Sequence, residues 1–303
     1  MILDYSCIER ICQNYDSEYK YNENLSKYTS FQIGGCCNIL VKPKNADCIA
    51  EILDCCKKND IKYYILGKGS NVLISDKGLK GVVILLAADM TSISLKDDEH
   101  IYCEAGASLA KVCAFAKENS LTGLEFAYGI PGSVGGALYM NAGAYGGEMK
   151  DVVESCDYLD ENLELKNMTA DEMKLSYRHS IFSEKKYIIL GVRFKLKKGN
   201  IDEITARMSE LMEKRRSKQP LEYPSAGSTF KRPEGDFAAR LIEVSGLKGY
   251  TCGGAQVSEK HSGFVVNKGN ATFDDVMGVV KAVKEKVYAD SGVMLECEIE
   301  ILE

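Results

Sequence analysis

Gly129-Ile130-Pro131-Gly132-Ser133-Val134-Gly135-Gly136-Ala137 opens a run that continues through Asn141-Ala142-Gly143-Ala144-Tyr145-Gly146-Gly147. Seven glycines within these nineteen residues lose much backbone entropy on folding, so something needs close approach to the main chain. Pro131 reads as a helix start, with Gly132 and Ser133 aiming N–H groups at an anion. Close packing of a helix on a sheet would call for the same glycines. Upstream, Gly67-Lys68-Gly69-Ser70-Asn71 closes the apolar strand Ile61 to Leu66 and matches neither G-x-G-x-x-G nor a Walker A loop. Its successive small residues expose N–H groups that can form a nest for a diphosphate, although Gly and Asn are also ordinary turn residues. Two such nests suggest a dinucleotide cofactor. The missing Rossmann fingerprint argues against a doubly wound sheet holding it.

Outward from these loops, strands and helices mix without strict βαβ alternation, which predicts an α+β fold. Ile8, Ile11, Cys12 and Tyr15 mark a first amphipathic helix, and Ile49, Ile52, Leu53 and Cys56 a second. Val72 to Ile74 and Val82 to Leu86 read as strands, and Ser108 as the cap of a helix buried through Leu109, Val112, Cys113 and Ala116. Thr169-Ala-Asp-Glu172 reads as a capping box for one or two helical turns. Helices are expected over 200–217, from Asp236 to Gly246, and over 272–291, with Gly292 as the stop. Val293 to Leu302 is expected to be one closing strand. The best boundary falls at Lys197-Lys198-Gly199, giving a lead-in over 1–27, a domain over 28–198 split near 86–90, and a second over 199–303.

Composition narrows the classes of function. A chain of 303 residues with 45% hydrophobic and 27% charged residues is an ordinary globular protein rather than a disordered one. The longest apolar run, Val82 to Ala88, is seven residues, against about 20 for a membrane span. No basic stretch precedes an apolar one at the N-terminus, so no signal peptide is expected. A net charge of −6 argues against a broad nucleic-acid surface but leaves room for a local basic pocket. Twelve scattered cysteines without C-x-x-C, and His100, His179 and His261 far apart, leave no metal-site spacing. These cysteines read as reduced structural thiols, and the compartment as the cytoplasm.

Three further stretches are polar in ways that could carry chemistry. Ser225-Ala-Gly227-Ser228-Thr229-Phe230-Lys231-Arg232 follows the basic cluster Lys214, Arg215, Arg216 and Lys218, a plausible phosphate site or simply a solvated helix C-terminus. Glu296, Glu298 and Glu300 alternate with Leu295, Cys297, Ile299 and Ile301, which by itself describes a solvated strand edge. Tyr177-Arg178-His179-Ser180 reads as a polar turn.

Taken in order, seven segments resemble the UDP-N-acetylmuramate dehydrogenase family, also called UDP-N-acetylenolpyruvoylglucosamine reductases, in its shorter second form. They are Tyr28-Thr-Ser-Phe-x-Ile-Gly-Gly35, Gly67-x-Gly-Ser-Asn71, Gly129 to Ala137, Asn141 to Gly146, Tyr177-Arg-x-Ser180, Ser225-Ala-Gly-Ser-x-Phe-Lys231 and Leu295-Glu-x-Glu298. Each is weak alone, and together they span almost the whole chain.

The resemblance implies an FAD-binding domain of the vanillyl-alcohol-oxidase (PCMH) type, followed by a substrate-binding C-terminal domain. It implies noncovalent FAD, NADPH as co-substrate, and reduction of the enolpyruvyl ether of UDP-N-acetylglucosamine to UDP-N-acetylmuramate for peptidoglycan synthesis. No metal, nucleic acid, membrane or obligate protein partner is implied. By position, Arg178 matches the family's catalytic arginine, Ser228 its proton donor and Glu298 its catalytic glutamate. The cofactor positions are Gly67, Lys68, Gly69, Ser70, Asn71, Pro131, Gly132, Ser133, Gly135, Gly136, Asn141, Ala142 and Gly143. The substrate positions are Tyr145, Tyr177, Lys218, Lys231 and Arg232. Two residues depart from the family pattern: Arg232 stands where it has Asn, and Cys297 where it has Pro. A rival within the same fold, an oxidase tethering its flavin through His or Cys, finds no His in the Gly-rich stretches. A catalytically silent nucleotide-sugar or flavin sensor is a rival of another class, and the presence of Arg178, Ser228 and Glu298 speaks against it.

Overall fold

Apolar spacing places the first two helices where the sequence puts them. In the computed structural model, which describes residues 4–303, α1 (Ser6–Asn14) buries Ile8, Ile11 and Cys12. The second, α2 (Ala46–Lys58), is capped by the Asn45 side chain accepting from the Cys48 N–H, and it buries Ile49, Ile52, Leu53 and Cys56. Both share a core with a four-stranded sheet ordered Glu18–Tyr21, Cys37–Lys42, Leu79–Leu85, Tyr63–Leu66. The last two strands run parallel, with Tyr63 opposite Val82. The reading of uniformly reduced thiols is corrected at one pair. The packing of α1 on α2 brings Cys7 and Cys55 to a Cα separation of 6.7 Å, and they are joined as a disulfide.

The described residues divide into two compact units. One comprises the chain up to Tyr21, Asn38–Lys68 and Lys80–Lys214. The other comprises Asn22–Cys37, Gly69–Leu79 and Arg215–Glu303. Besides the elements above, the first unit holds an antiparallel five-stranded sheet ordered Leu165–Thr169, Val153–Leu159, Ile188–Lys195, His100–Glu104, Ile93–Leu95. Three helices lie with it: α3 (Leu109–Glu118), the short α4 (Val134–Tyr139) and α5 (Ile181–Glu184). The long α6 (Ile201–Lys218) follows. One half of the Thr169 box forms, the Glu172 carboxylate accepting from the Thr169 N–H at 2.7 Å, but the Thr169 hydroxyl donates to that carboxylate at 2.8 Å instead of accepting from the Glu172 N–H. It closes a turn rather than a helix, because the chain must reach the 176–179 turn within a few residues.

The second unit is built on an antiparallel sheet ordered Ser225–Ser228, Phe264–Asn267, Ala255–Val257, Thr251–Cys252. Two helices complete it, α7 (Ala238–Val244) and α8 (Phe273–Ser291). The latter buries the expected stripe, Phe273, Val276, Val279, Val280, Val283 and Val287, between a Thr272/Asp275 capping box and Gly292. The helix expected from Asp236 starts later, at Ala238, because the Asp236 carboxylate accepts from the Phe237 N–H at 2.7 Å and pairs with Arg240. The expected closing strand is also divided. Cys297 pairs antiparallel with Phe230, whereas Glu300–Leu302 runs parallel to Val72–Ile74. One segment cannot hold a single ladder while it changes partners, and Glu298 lies at the exchange.

Candidate active site

The first glycine loop leaves its strand at Leu66 and touches the second glycine stretch at once. A Cβ on Gly67 would lie 2.3 Å from the Ser133 hydroxyl, so a side chain there would displace the cap of α4. Lys68 reaches across to Ser108, its Nζ donating to that hydroxyl at 3.0 Å. Ser108 is therefore at the expected N-cap position of α3, but its side chain serves the glycine loop and not the helix. Gly69 has φ +58°, and a Cβ there would fall 2.0 Å from the Tyr28 carbonyl. No protein acceptor takes the main-chain N–H groups of Lys68, Gly69, Ser70 or Asn71 among the described residues. This loop can therefore present a row of donors to the oxygens of a diphosphate.

The second stretch differs from its reading. Helix α4 begins at Val134 with Ser133 as its cap, so Pro131 lies outside it. The N–H of Gly132 donates to Ile130, that of Val134 to Ala107 at 2.8 Å, and that of Gly135 to Ala105 at 2.8 Å. These donors are already committed, those of Val134 and Gly135 holding α4 against the 105–107 segment, whereas no main-chain acceptor takes the Ser133 N–H among the described residues. Gly136, by contrast, is exposed and has only the Ser133 hydroxyl near its Cβ position, at 3.3 Å.

Beyond α4 the chain supports a second feature. Asn141 is wholly buried and hydrogen-bonds within the protein, while Ala142 and Gly143 lead into the Gly143–Ala144 strand that pairs with Gly147–Glu148. Tyr145 sits at the tip between those strands with φ +53°, partly exposed. Ser176 and His179 exchange both main-chain hydrogen bonds, at 3.1 and 3.2 Å, which leaves Tyr177 and Arg178 as a two-residue turn. Arg178 takes φ +53°, with its guanidinium over the Tyr177 ring at 5.2 Å.

Ser228 and Glu298 belong to the second unit and lie on neighbouring segments. The Glu298 N–H donates to the Thr229 carbonyl at 2.8 Å, and the Lys231 N–H to the Glu296 carbonyl at 2.9 Å. A register shift between Ser225 and Ser228 interrupts the ladder to Phe264–Asn267. At that shift Gly227 has φ +74°, and a Cβ there would meet no atom within 4 Å, so the backbone beside Ser228 borders open space. Lys218 ends α6, Lys231 pairs with Glu296 at 3.3 Å, and the Arg232 guanidinium lies over the Phe237 ring at 4.7 Å. Glu296 and Glu300 are exposed, as a solvated edge requires.

Several supporting residues escaped the sequence reading. Asn267, buried at the end of an apolar strand, donates to the Phe31 carbonyl at 3.1 Å and accepts from Gly269 and Ala271. The Thr229 hydroxyl accepts from the Val265 N–H at 3.0 Å, and the Ser30 hydroxyl donates to the Ser225 carbonyl at 2.6 Å. Only for Asn267 was there a signal, a polar residue closing Phe264-Val-Val. A polar cleft of about 540 Å³ lined by Gln13, Ser17, Tyr19, Lys44 and Asp89 contains none of the candidate residues. Among the described residues there is no metal-binding cluster, and no helix is long and apolar enough to cross a membrane.

Comparison with known proteins accounts for this arrangement. Residues 37–168 match the FAD binding domain family, and residues 219–302 match the family described as UDP-N-acetylenolpyruvoylglucosamine reductase, C-terminal domain. The chain is 49% identical over 281 residues to the UDP-N-acetylenolpyruvoylglucosamine reductase of Caldanaerobacter subterraneus subsp. tengcongensis, covering 93% of this chain and 92% of that one. The crystal structure of UDP-N-acetylenolpyruvylglucosamine reductase from Thermus caldophilus superimposes with a TM-score of 0.81 at 33% identity, over 95% of this chain and 99% of that one. A variant of Phl p 4, a glucose oxidase, shares the fold alone, with a TM-score of 0.50 at 13% identity over 65% of this chain and 44% of that one. The fold is thus α+β, with an FAD-binding domain of the type found in PCMH oxidases. On the identity and coverage of these relatives, the chain belongs to the UDP-N-acetylenolpyruvoylglucosamine reductases, oxidoreductases with an FAD-binding domain.

Proposed function

We propose that the protein uses NADPH to reduce the enolpyruvyl ether of UDP-N-acetylglucosamine to UDP-N-acetylmuramate, a peptidoglycan precursor. The observation that supports this reading is the main-chain bond between Glu298 and Thr229, which joins the segments that carry the candidate glutamate and the candidate proton donor, Ser228. Residues 28–198 form the FAD-binding part and 199–303 the substrate part, with segments 28–37 and 69–79 packing in the compact unit of the latter and 199–214 in that of the former. Noncovalent FAD would be held by the Lys68–Asn71 N–H groups, donors suited to pyrophosphate oxygens. The cytoplasm, where thiols stay reduced, suits the ten cysteines that remain unpaired.

When bound, FAD supplies the hydride that reaches the methylene carbon of the substrate. Hydride addition leaves negative charge spread from the adjacent carbon onto the carboxylate. Arg178, always charged and planar, matches that carboxylate with two parallel N–H donors. The Ser228 hydroxyl then gives its proton to the carbon next to the carboxylate. An enolate is a strong base, so an ordinary hydroxyl suffices if it is well placed. Glu298 shares in stabilising the charged intermediate. Lys218, Lys231 and Arg232 supply positive charge for the substrate diphosphate, and Tyr145 and Tyr177 border the sugar side.

An absorbance spectrum of the purified protein followed by anaerobic NADPH titration tests the reading. Flavin should bleach with NADPH and recover when the enolpyruvyl substrate is added. A bleached flavin that the substrate fails to reoxidise would count against the proposal.

A further inference from the structure

Asn141 was matched to a cofactor position, yet its side chain faces elsewhere. It is 0% exposed, and its amide donates to the Glu148 carboxylate at 2.6 Å and to the Ser176 carbonyl at 3.0 Å. Its oxygen accepts from the Lys150 N–H at 2.9 Å. Two acceptors on one side and a donor on the other admit a single orientation of the amide. Both N–H groups are then engaged within the protein.

The Ser176 carbonyl is the base of the turn that carries Arg178. It already accepts from the His179 N–H at 3.2 Å, and Asn141 fills its second lone pair. The other flank is pinned in the same way, since the buried Ser180 hydroxyl donates to the Tyr139 carbonyl at 2.6 Å. Both anchors, Tyr139 and Asn141, lie at the C-terminal end of α4. At the opposite end of this helix, roughly 9 Å away at 1.5 Å per residue, Ser133 touches Gly67. Arg178 is held in the left-handed region, which costs a non-glycine residue about 1–2 kcal/mol, and such a conformation persists only where its surroundings enforce it.

We propose that Asn141 is a positioning residue for the reduction: by fixing the Ser176 carbonyl it sets the Tyr177-Arg178 turn, and with it the place where the guanidinium meets the substrate carboxylate. The proposal rests on the role given to Arg178 above. Asn141 acts through Arg178 and touches no reacting atom.

A double-mutant cycle read on separate half-reactions tests this. Asn141→Ala should slow reoxidation of pre-reduced flavin by the enolpyruvyl substrate at least tenfold. Reduction by NADPH should stay within about twofold, and FAD affinity of the apoprotein, followed by flavin fluorescence, within about threefold. In an Arg178→Ala background the same substitution should change reoxidation less than twofold, because the group it positions is gone. In Asn141→Ala apoprotein the His179 amide should also exchange its hydrogen faster. Equal losses with and without Arg178 would overturn the proposal, as would a fall in all half-reactions together or a loss of FAD affinity large enough to explain the effect. If Arg178→Ala alone reoxidises at the wild-type rate, the role of Arg178 is what fails, and the proposal falls with it. Asn141→Asp keeps the oxygen facing Lys150 and loses both donors, so it carries the same comparison if the alanine variant does not fold.

Discussion

The side-chain amide of Asn71 donates to the main-chain carbonyl of Glu298 at 3.0 Å, and the Asn71 carbonyl accepts from the Glu300 N–H at 2.9 Å. The last residue of the first glycine loop thus brackets the candidate glutamate from one side, while Thr229 accepts its N–H from the other.

Removing the Asn71 amide should loosen that bracket. Asn71→Ala leaves a partly buried carbonyl without its partner, and we expect a stability loss of about 1 kcal/mol in urea unfolding. Reoxidation by substrate should fall as well, since Glu298 lies where the chain changes from one ladder to another. Unchanged stability together with an unchanged reoxidation rate would show the bond to be idle.

Ser228→Ala isolates proton donation. FAD content and flavin reduction by NADPH should stay near wild type, whereas stopped-flow reoxidation by substrate should drop by ~10²–10⁴-fold, the usual contribution of a positioned acid. Ser228→Cys should keep more activity than Ser228→Ala, because a thiol still donates. A wild-type reoxidation rate in the alanine variant removes Ser228 from the mechanism.

Two glycine variants should behave differently. Gly69→Val forces a branched residue to φ +58° and into the Tyr28 carbonyl, so it should lower stability by ~2 kcal/mol or more whether or not flavin binds. Gly136→Val meets only the Ser133 hydroxyl, and it should fold yet purify colourless. Flavin content is read from the visible spectrum and folding from circular dichroism. A yellow Gly136→Val protein would remove that residue from the cofactor site.

His261 predicts a pH dependence. Burial holds its ring below the usual imidazole pKa, its Nδ1 accepts from the Gly263 N–H at 3.2 Å, and its edge meets the Phe264 ring. The native state therefore keeps the ring neutral, while the unfolded chain protonates near ~6.5. Between the two values the unfolded state binds more protons, so this contribution is complete above about pH 6.5 and is lost as the pH falls toward the folded value. Urea midpoints of wild type should drop more steeply than those of His261→Gln from pH 7 to pH 5. Parallel curves would show that the ring titrates alike in both states.

Where side-chain periodicity carries the signal, the sequence was legible. The stripes of α1, α2 and α8 follow from apolar spacing alone, as does the Gly292 stop, because one helix face must be buried whatever it packs against. The motif residues Arg178, Ser228 and Glu298 could be named for the same local reason, since each stands in a short recognisable run. Asp236 and Thr169 mislead because local bonds form at each, from the Phe237 N–H to the Asp236 carboxylate and from the Thr169 N–H to the Glu172 carboxylate, while the helix begins later or not at all.

By itself, then, the sequence determined the fold class, the apolar stripes of the long helices, the candidate chemistry and the family. Tertiary structure alone decided how polar groups are partnered. The N–H of Gly132 reads as an anion donor until the Ile130 carbonyl is seen to accept it. Asn71 and Asn141 both stand among the cofactor positions of the sequence, and only the fold puts their side-chain amides on Glu298 and Ser176. Cys7 and Cys55 read as separate thiols until two helices face each other. Apolar burial leaves a repeating pattern along the chain because it needs only a face, whereas a hydrogen bond needs one partner at one distance, and that partner is as far off in sequence as the fold allows.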